Sequence, residues 1–189
     1  VQGLTGGALK EILGRLWFLL AVASVAIWLF SALLAGGDTA ILSAILGLSL
    51  CLYGGLGLTR PQVKAPGDKE QWLSPLIGAI HGGLTGLTGS FVVPGVLYLQ
   101  ALGWPRDIFI QAMGVLFTVS TVALGISMTG RGLLSADLGL LSFVGLVPAF
   151  IGMYIGQKVR KRLSEARFRQ VFFISVAVLG TYIIVRSLL

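Results

Sequence analysis

The chain has 189 residues, of which 56% are hydrophobic and only 11% carry a charge. Soluble globular domains have about 25% charged residues, so this chain has too few charges to cover a surface in water. The composition excludes a cytosolic enzyme domain, a disordered chain and, despite the net charge of +7, a nucleic-acid-binding protein. It predicts a protein with several membrane-spanning segments.

Charged residues separate six long uncharged stretches, the longest of which has 35 residues. A helix needs about 20 apolar residues to cross the hydrocarbon core of a bilayer. Segments of about 10 residues with alternating polarity, which are typical of outer-membrane barrels, do not occur. The predicted fold class is therefore all-α, a polytopic transmembrane helix bundle. In chain order its segments are helices 16–35 and 40–58, a Gly-rich segment 74–102, and helices 107–129, 138–160 and 167–188.

The N-terminal sequence VQGLTGG is followed by a short amphipathic stretch, ALKEILGRLW. A charged region, an apolar region and a small-residue cleavage site do not follow one another, so this is not a signal peptide. A start without Met suggests a fragment, a processed chain or a shortened one. The single cysteine, Cys51, excludes an intramolecular disulfide and a Cys-based metal site.

Basic residues near membrane ends mark the cytoplasmic side. The densest group lies in the loop 158–169, where six Lys and Arg residues accompany a single acidic residue, Glu165. The polar linker 61–73 and the adjoining Arg60 carry further cations, whereas the turn AGGDTA after the first helix has none. Both basic loops, 60–70 and 158–169, are therefore predicted to be cytoplasmic, where anionic lipid headgroups can contact them.

This orientation constrains the Gly-rich segment 74–102. If the segment crossed the membrane once, the most basic loop would lie on the outer face. If it enters and returns to the same side, both basic loops are cytoplasmic. The charge pattern thus predicts a broken, re-entrant segment.

The composition of the segment agrees with a break. Glycines recur from Gly78 to Gly95, and Pro94 is placed to open a second half-helix, so the break is expected at 88–93. Non-helical backbone at membrane depth must be buried in protein or line a polar cavity, and it often marks a transport site. Two alternatives stay open. The small-residue spacing of Gly78, Gly82 and Gly86 is also typical of close helix packing, and the threonine and serine hydroxyls could bond their own backbone.

The sequence from GAIHGGLTGLTGSFVVPGVLYLQALGW through QAMGVLFTVSTVALG resembles the second repeat of the sulfite exporter TauE/SafE family of bacterial membrane permeases. The pattern is a Gly-rich break, a proline a few residues later, and then a helix that bears Ala, Ser and Thr. VPAFIGMYIGQKVRKRL and FRQVFFISVAVLG match the remainder of that repeat. The resemblance implies that 1–60 is the back part of a first repeat whose front is missing, that 61–73 is a cytoplasmic linker, and that 74–189 is a complete second repeat.

The predicted crossings make the two repeats inverted, since the helices 16–35 and 138–160 then run in opposite directions, a common plan in transporters. A single crossing of the Gly-rich segment would make them parallel, which fits the eight helices often described for the family. The sequence LTGS at the break departs from the Gly-Gly pattern typical of the family, so the resemblance does not determine the identity of the substrate.

The resemblance implies a small anion as substrate, such as sulfite or an organosulfonate. A half-helix N-terminus carries roughly half a positive charge and can bind an anion through backbone N–H groups. The N–H groups at 89–92 and 95–97 are therefore candidates, although Pro94 itself has none. The candidate substrate-binding residues are Thr85, Thr88, Gly89, Ser90, Pro94, Gln111 and Ser120.

His81 is the only histidine and lies seven residues before Thr88. An unperturbed histidine titrates near pH 6.5, approximately the range that proton coupling needs. The alternative is a neutral histidine that bonds a carbonyl group across a packed interface. The sequence alone leaves both roles open.

The function that these observations favour is an integral membrane permease for secondary transport or export of a small anion. A passive anion channel and a non-catalytic membrane subunit of a larger assembly are the alternatives. An enzyme is not predicted, because the spans contain no His/Asp/Glu cluster, catalytic Cys–His pair or metal-ligand set; no cofactor or metal is expected. The expected partners are the lipid bilayer of the bacterial inner membrane and a small inorganic or organic anion, without nucleic acid, and an oligomer is left open.

Overall fold

The computed structural model describes residues 8–59, 66–91, 93–133, 136–162 and 164–188. These residues form seven α-helices, and no β-strand occurs among them, which confirms the all-α prediction. A 3₁₀ turn, Gly67–Lys69, precedes the third helix. The helices are α1 Leu9–Gly36, α2 Thr39–Thr59, α3 Glu70–Thr88, α4 Gly95–Ala101, α5 Arg106–Gly130, α6 Ala136–Arg162 and α7 Glu165–Leu188.

Helix α1 begins at Leu9, seven residues before its predicted start. The amphipathic stretch that was predicted to precede the first helix is its first two turns. The reason is that Ile12 and Leu16 continue the buried stripe of Leu19, Ala23 and Ile27 at helical spacing, and all five side chains are at most 1% exposed. Burial of that stripe therefore extends the helix toward the N-terminus.

Four helical segments are long and apolar enough to cross a membrane, and a shorter apolar stretch, Ser142–Gly156, lies in α6. Large apolar side chains such as Trp28, Phe150 and Val178 are more than half exposed. Such a surface is unstable in water but is solvated by lipid acyl chains. The protein is thus a multi-pass membrane protein. The four spanning segments are Leu9–Leu34, Thr39–Thr59, Arg106–Gly130 and Gln170–Leu188.

Helices α1, α3 and α5 run in the same direction. At the end where they begin, the Arg15 side chain bonds Glu70 and lies over the ring of Trp104, the residue two positions before α5. At the end where α1 and α5 finish, the hydroxyl groups of Ser31 and Ser127 form a hydrogen bond. We call the first the lower end and the second the upper end. An apolar cluster fills the space between α1, α4 and α5. It includes Leu16, Leu99 and Leu116.

Helices α2 and α7 form a separate antiparallel pair with very close backbones. A Cβ atom added to Gly47 would lie 2.6 Å from the carbonyl oxygen of Gly180, and one added to Gly54 would lie 2.8 Å from that of Phe173. Since α2 begins at the upper end, two residues after α1, α7 runs back toward that end. Helix α6 follows α5 and precedes α7, so it runs away from the upper end, opposite to α1. This is the relationship that inverted repeats require, and the repeat boundaries themselves stay a prediction.

Candidate functional site

The Gly-rich segment forms a helical hairpin. Helix α3 ends at Thr88 and α4 begins at Gly95, close to the break predicted at 88–93. Gly95 lies against His81, and the Tyr98 hydroxyl is 2.6 Å from that of Ser74. Because later residues of α4 meet earlier residues of α3, α4 folds back along α3. The segment thus starts and finishes at the lower end, as the charge pattern predicts.

The tip of the hairpin is closed by Gly89. Its φ of 69° and ψ of 8° are left-handed, a conformation that favours glycine, and its N–H donates to the Thr85 carbonyl at 2.8 Å. The Thr85 hydroxyl donates to the Ser90 carbonyl at 2.9 Å. The Thr88 hydroxyl donates to the Leu84 carbonyl at 2.6 Å and accepts the Ser90 N–H at 3.2 Å. These two hydroxyls therefore stabilise the turn through the backbone, the alternative considered for them from the sequence.

Three glycines hold α3 against α1. A Cβ at Gly78 would lie 2.6 Å from the Leu19 carbonyl oxygen, and one at Gly86 would lie 2.9 Å from that of Ile27. A Cβ at Gly82, between them, would overlap the carbonyl oxygen of Ala23. Only glycine permits this approach of two backbones. Packing, one of the two interpretations of these glycines, is thus a role that they do have.

His81 lies where α3, α4 and α5 meet. Its side chain is fully buried, and its Nε2 atom is 3.3 Å from the Ser120 hydroxyl of α5. The Nδ1 atom has no hydrogen-bond partner in the described part of the protein, and a Cβ at Gly95 would lie 2.8 Å from it. Two candidates from the sequence, His81 and Ser120, are therefore brought into contact, and the partner of His81 is a hydroxyl rather than a carbonyl.

The other candidates lie at different depths. Gln111 is buried on α5, nine residues before Ser120, which is about 13 Å lower along a helix with a rise of 1.5 Å per residue. Pro94 precedes α4 and lines a cavity of about 220 Å³ with Leu73 and Tyr98, on the lower side of the hairpin tip. Val92, whose N–H was a candidate donor, lies outside the described residues. The predicted set therefore forms three levels rather than one pocket: Gln111 below, His81 with Ser120 in the middle, and 85–90 at the tip.

A polar group at the upper end was not predicted from the sequence. Gly86 packs on the backbone of Ser31, whose hydroxyl is 2.5 Å from that of Ser127 on α5. Arg131 follows one turn later, and its Nη2 donates to the Trp28 carbonyl at 2.7 Å. The only signal in the sequence is the spacing of Ser127 and Arg131 by four residues, which places both on one face of a helix.

An open groove of about 850 Å³ occupies the lower end. Arg15 and Glu70 lie in its wall, joined by two hydrogen bonds of 2.6 Å, and Trp17 and Trp72 are exposed beside them. The groove is lined by none of the candidate residues from the sequence. Exposed tryptophans near the ends of membrane helices are typical of membrane–water interfaces.

These features define a polytopic α-helical membrane protein with a broken helical hairpin packed in its interior. The chain belongs to the sulfite exporter TauE/SafE family, a family of membrane transporters, because the family model matches residues 4–183. The match includes α1 and α2, where the resemblance seen in the sequence was weaker. No curated protein and no solved structure matches the chain.

Proposed function

We propose that this protein is a secondary transporter that exports a small anion, such as sulfite or an organosulfonate, across the bacterial inner membrane. The observation that carries the proposal is the hairpin α3–α4, which holds non-helical backbone, 89–91 and 93–94 among the described residues, inside a helix bundle of a transporter family. Backbone groups at such a depth must find partners in the protein or in a polar path. Gly89 and Ser90 at the break are only half-buried, so the break is suited to lining a polar path.

The orientation that we propose places the lower end in the cytoplasm. Lys10, Arg15, Lys69 and Arg106 belong to this end. The basic segment 158–169, predicted as a loop, forms the last turn of α6 and the first turn of α7 at the same end. In the loop 60–70, residues 60–65 lie outside the described part of the chain. The positive-inside rule supports this orientation, in which the hairpin enters from the cytoplasm and its tip lies toward the outer side.

Within the hairpin we propose that the anion contacts the tip. Thr85, Thr88, Gly89, Ser90 and Pro94 surround the turn. The hydroxyls of Thr85 and Thr88 donate to carbonyl groups, and the N–H groups of Gly89 and Ser90 are bonded within the turn. The turn's contribution would therefore come from the Ser90 hydroxyl and from backbone N–H groups that follow Ser90. Ser120 and Gln111 would line the lower part of the path, and His81, bonded to Ser120, would couple proton movement to transport.

Efflux of sulfite from proteoliposomes tests the proposal. The purified chain, reconstituted with sulfite inside, should release it faster than empty liposomes, with a rate that saturates and responds to an imposed pH gradient. Ser90→Ala should slow efflux, whereas Thr118→Ala is a matched control, because Thr118 is exposed and its hydroxyl bonds only its own helix at Gly114. Flux that is conductive and independent of the pH gradient would indicate the channel instead. No flux of sulfite or of methanesulfonate would overturn the proposed transport.

A further inference from the structure

Arg131 holds the upper ends of α1 and α5 together but uses only part of its hydrogen-bonding capacity. Its Nη2 donates to the Trp28 carbonyl at 2.7 Å, its Nε lies 3.4 Å from the Ser127 hydroxyl, and the guanidinium is 5.4 Å from the centre of the Trp28 ring. A guanidinium has five N–H donors. The other three have no acceptor in the described part of the protein.

The guanidinium is also without a negatively charged partner among the side chains that the structure describes, which do not include that of Asp137. The ion pair that the structure shows there, Arg15 with Glu70, lies at the opposite end. Arg131 is half-buried, beside the exposed but apolar Trp28 ring. A cation in such surroundings is screened less by water and salt than one on an open surface, so it attracts an anion more strongly.

The position of Arg131 connects it to the hairpin tip. Gly86, in the last turn of α3, packs on Ser31; Ser31 bonds Ser127; and Ser127 is adjacent to the Nε of Arg131. Three successive contacts therefore lead from the end of α3 to the guanidinium. A planar guanidinium with unused N–H groups matches the paired oxygen atoms of an oxyanion.

We propose that Arg131 is the cationic contact of a second anion site, at the upper end, which an oxyanion of the sulfite, sulfonate or sulfate class occupies on its way to or from the hairpin tip. The inference rests on the proposed function, because it assigns a second station to the same transport path. It adds a residue that lies outside the hairpin. Trp28 holds the guanidinium in place, and the three remaining N–H groups bind the anion.

Titration of sulfite, methanesulfonate and sulfate into the purified protein in lipid nanodiscs tests this site directly. Arg131→Gln should weaken binding of the preferred anion by about tenfold or more, the loss expected for a hydrogen bond to a charged group. Arg131→Lys keeps the charge but loses the planar fork, so its dissociation constant should lie between the two. Arg186→Gln is the matched control, because Arg186 is an exposed cation in the last turn of α7, which also runs toward the upper end, and it should bind as the wild type does.

The outcomes separate the two proposals. Sulfite efflux that persists with unchanged KM in Arg131→Gln overturns the Arg131 site and leaves the transporter standing. Arg131-dependent binding of sulfate alone supports the site and overturns sulfite as substrate. A wild-type protein that binds none of the three anions overturns the site, whatever its flux. If Arg131→Gln does not fold, Arg131→Lys decides, and a dissociation constant equal to that of the wild type overturns the inference.

Discussion

The Nε2 atom of His81 lies 3.3 Å from the hydroxyl of Ser120, which joins the first arm of the hairpin to α5. The contact is fully buried and lies below the hairpin tip, so a proton on His81 would move within the protein rather than at its surface. Because the chain has one histidine, its role can be tested without interference from others.

We expect His81→Ala to flatten the dependence of efflux on pH, because His81 is the side chain proposed to couple proton movement to transport. Ser120→Ala should keep the pH dependence but lower stability by about 1–3 kcal/mol, the cost of leaving a buried polar group without its partner. Efflux at several pH values and thermal unfolding in detergent measure the two effects. A pH profile that is unchanged in His81→Ala would show that His81 has a packing role and does not couple protons to transport.

The orientation of the hairpin can be tested by cysteine labelling after Cys51→Ser. Lys69→Cys and Ser164→Cys place thiols at exposed positions, one before α3 and one between α6 and α7. A re-entrant hairpin puts both thiols on the cytoplasmic face, whereas a single crossing puts them on opposite faces. We expect an impermeant maleimide added outside intact cells to label neither of them, and to label Asp38→Cys at the upper end.

Neighbouring glycines of α3 should respond differently to a methyl group. Gly82→Ala places a Cβ against the backbone of α1 at Ala23 and should destabilise the protein by about 1–3 kcal/mol or more. Gly83→Ala meets only the Phe30 ring at 3.7 Å, an ordinary contact, and gains helix propensity of up to about 1 kcal/mol. Thermal unfolding of both variants measures the difference. Equal melting temperatures would contradict the packing of α3 on α1.

The left-handed Gly89 should tolerate asparagine better than alanine. Gly89→Ala is expected to cost about 1 kcal/mol because its φ is 69°, whereas Asn adopts this conformation more readily. Gly125→Ala is the control, since Gly125 lies within α5 with open space around its Cβ position. Efflux and melting temperature should fall in the order Gly125→Ala, Gly89→Asn, Gly89→Ala. A Gly89→Ala variant as stable as the control would show that the turn adopts another conformation.

The sequence predicts those features that depend on local composition. The lengths of the uncharged stretches predict the ends of the last three helices to within two residues of those observed. The positions of Gly89 and Pro94 predict where the Gly-rich segment breaks. The polar group of Ser31, Ser127 and Arg131 could not be predicted, because it depends on how two helices about 100 residues apart align. The depth of Gln111 could have been predicted: nine residues along one helix separate it from Ser120, so the two side chains cannot serve one small anion together.

The close contact of α1 with α3 limits how such a protein can move. A shift of α3 by one residue would bring Ile77 or Ala79 against the Leu19 carbonyl group in place of Gly78, and Thr85 or Leu87 against that of Ile27 in place of Gly86. Neither sliding nor rotation of this pair is therefore permitted. The two helices therefore behave as a single rigid unit. Any rearrangement that exposes the hairpin tip alternately to the two sides of the membrane must take place along α4 and α5, or between this unit and the α2–α7 pair.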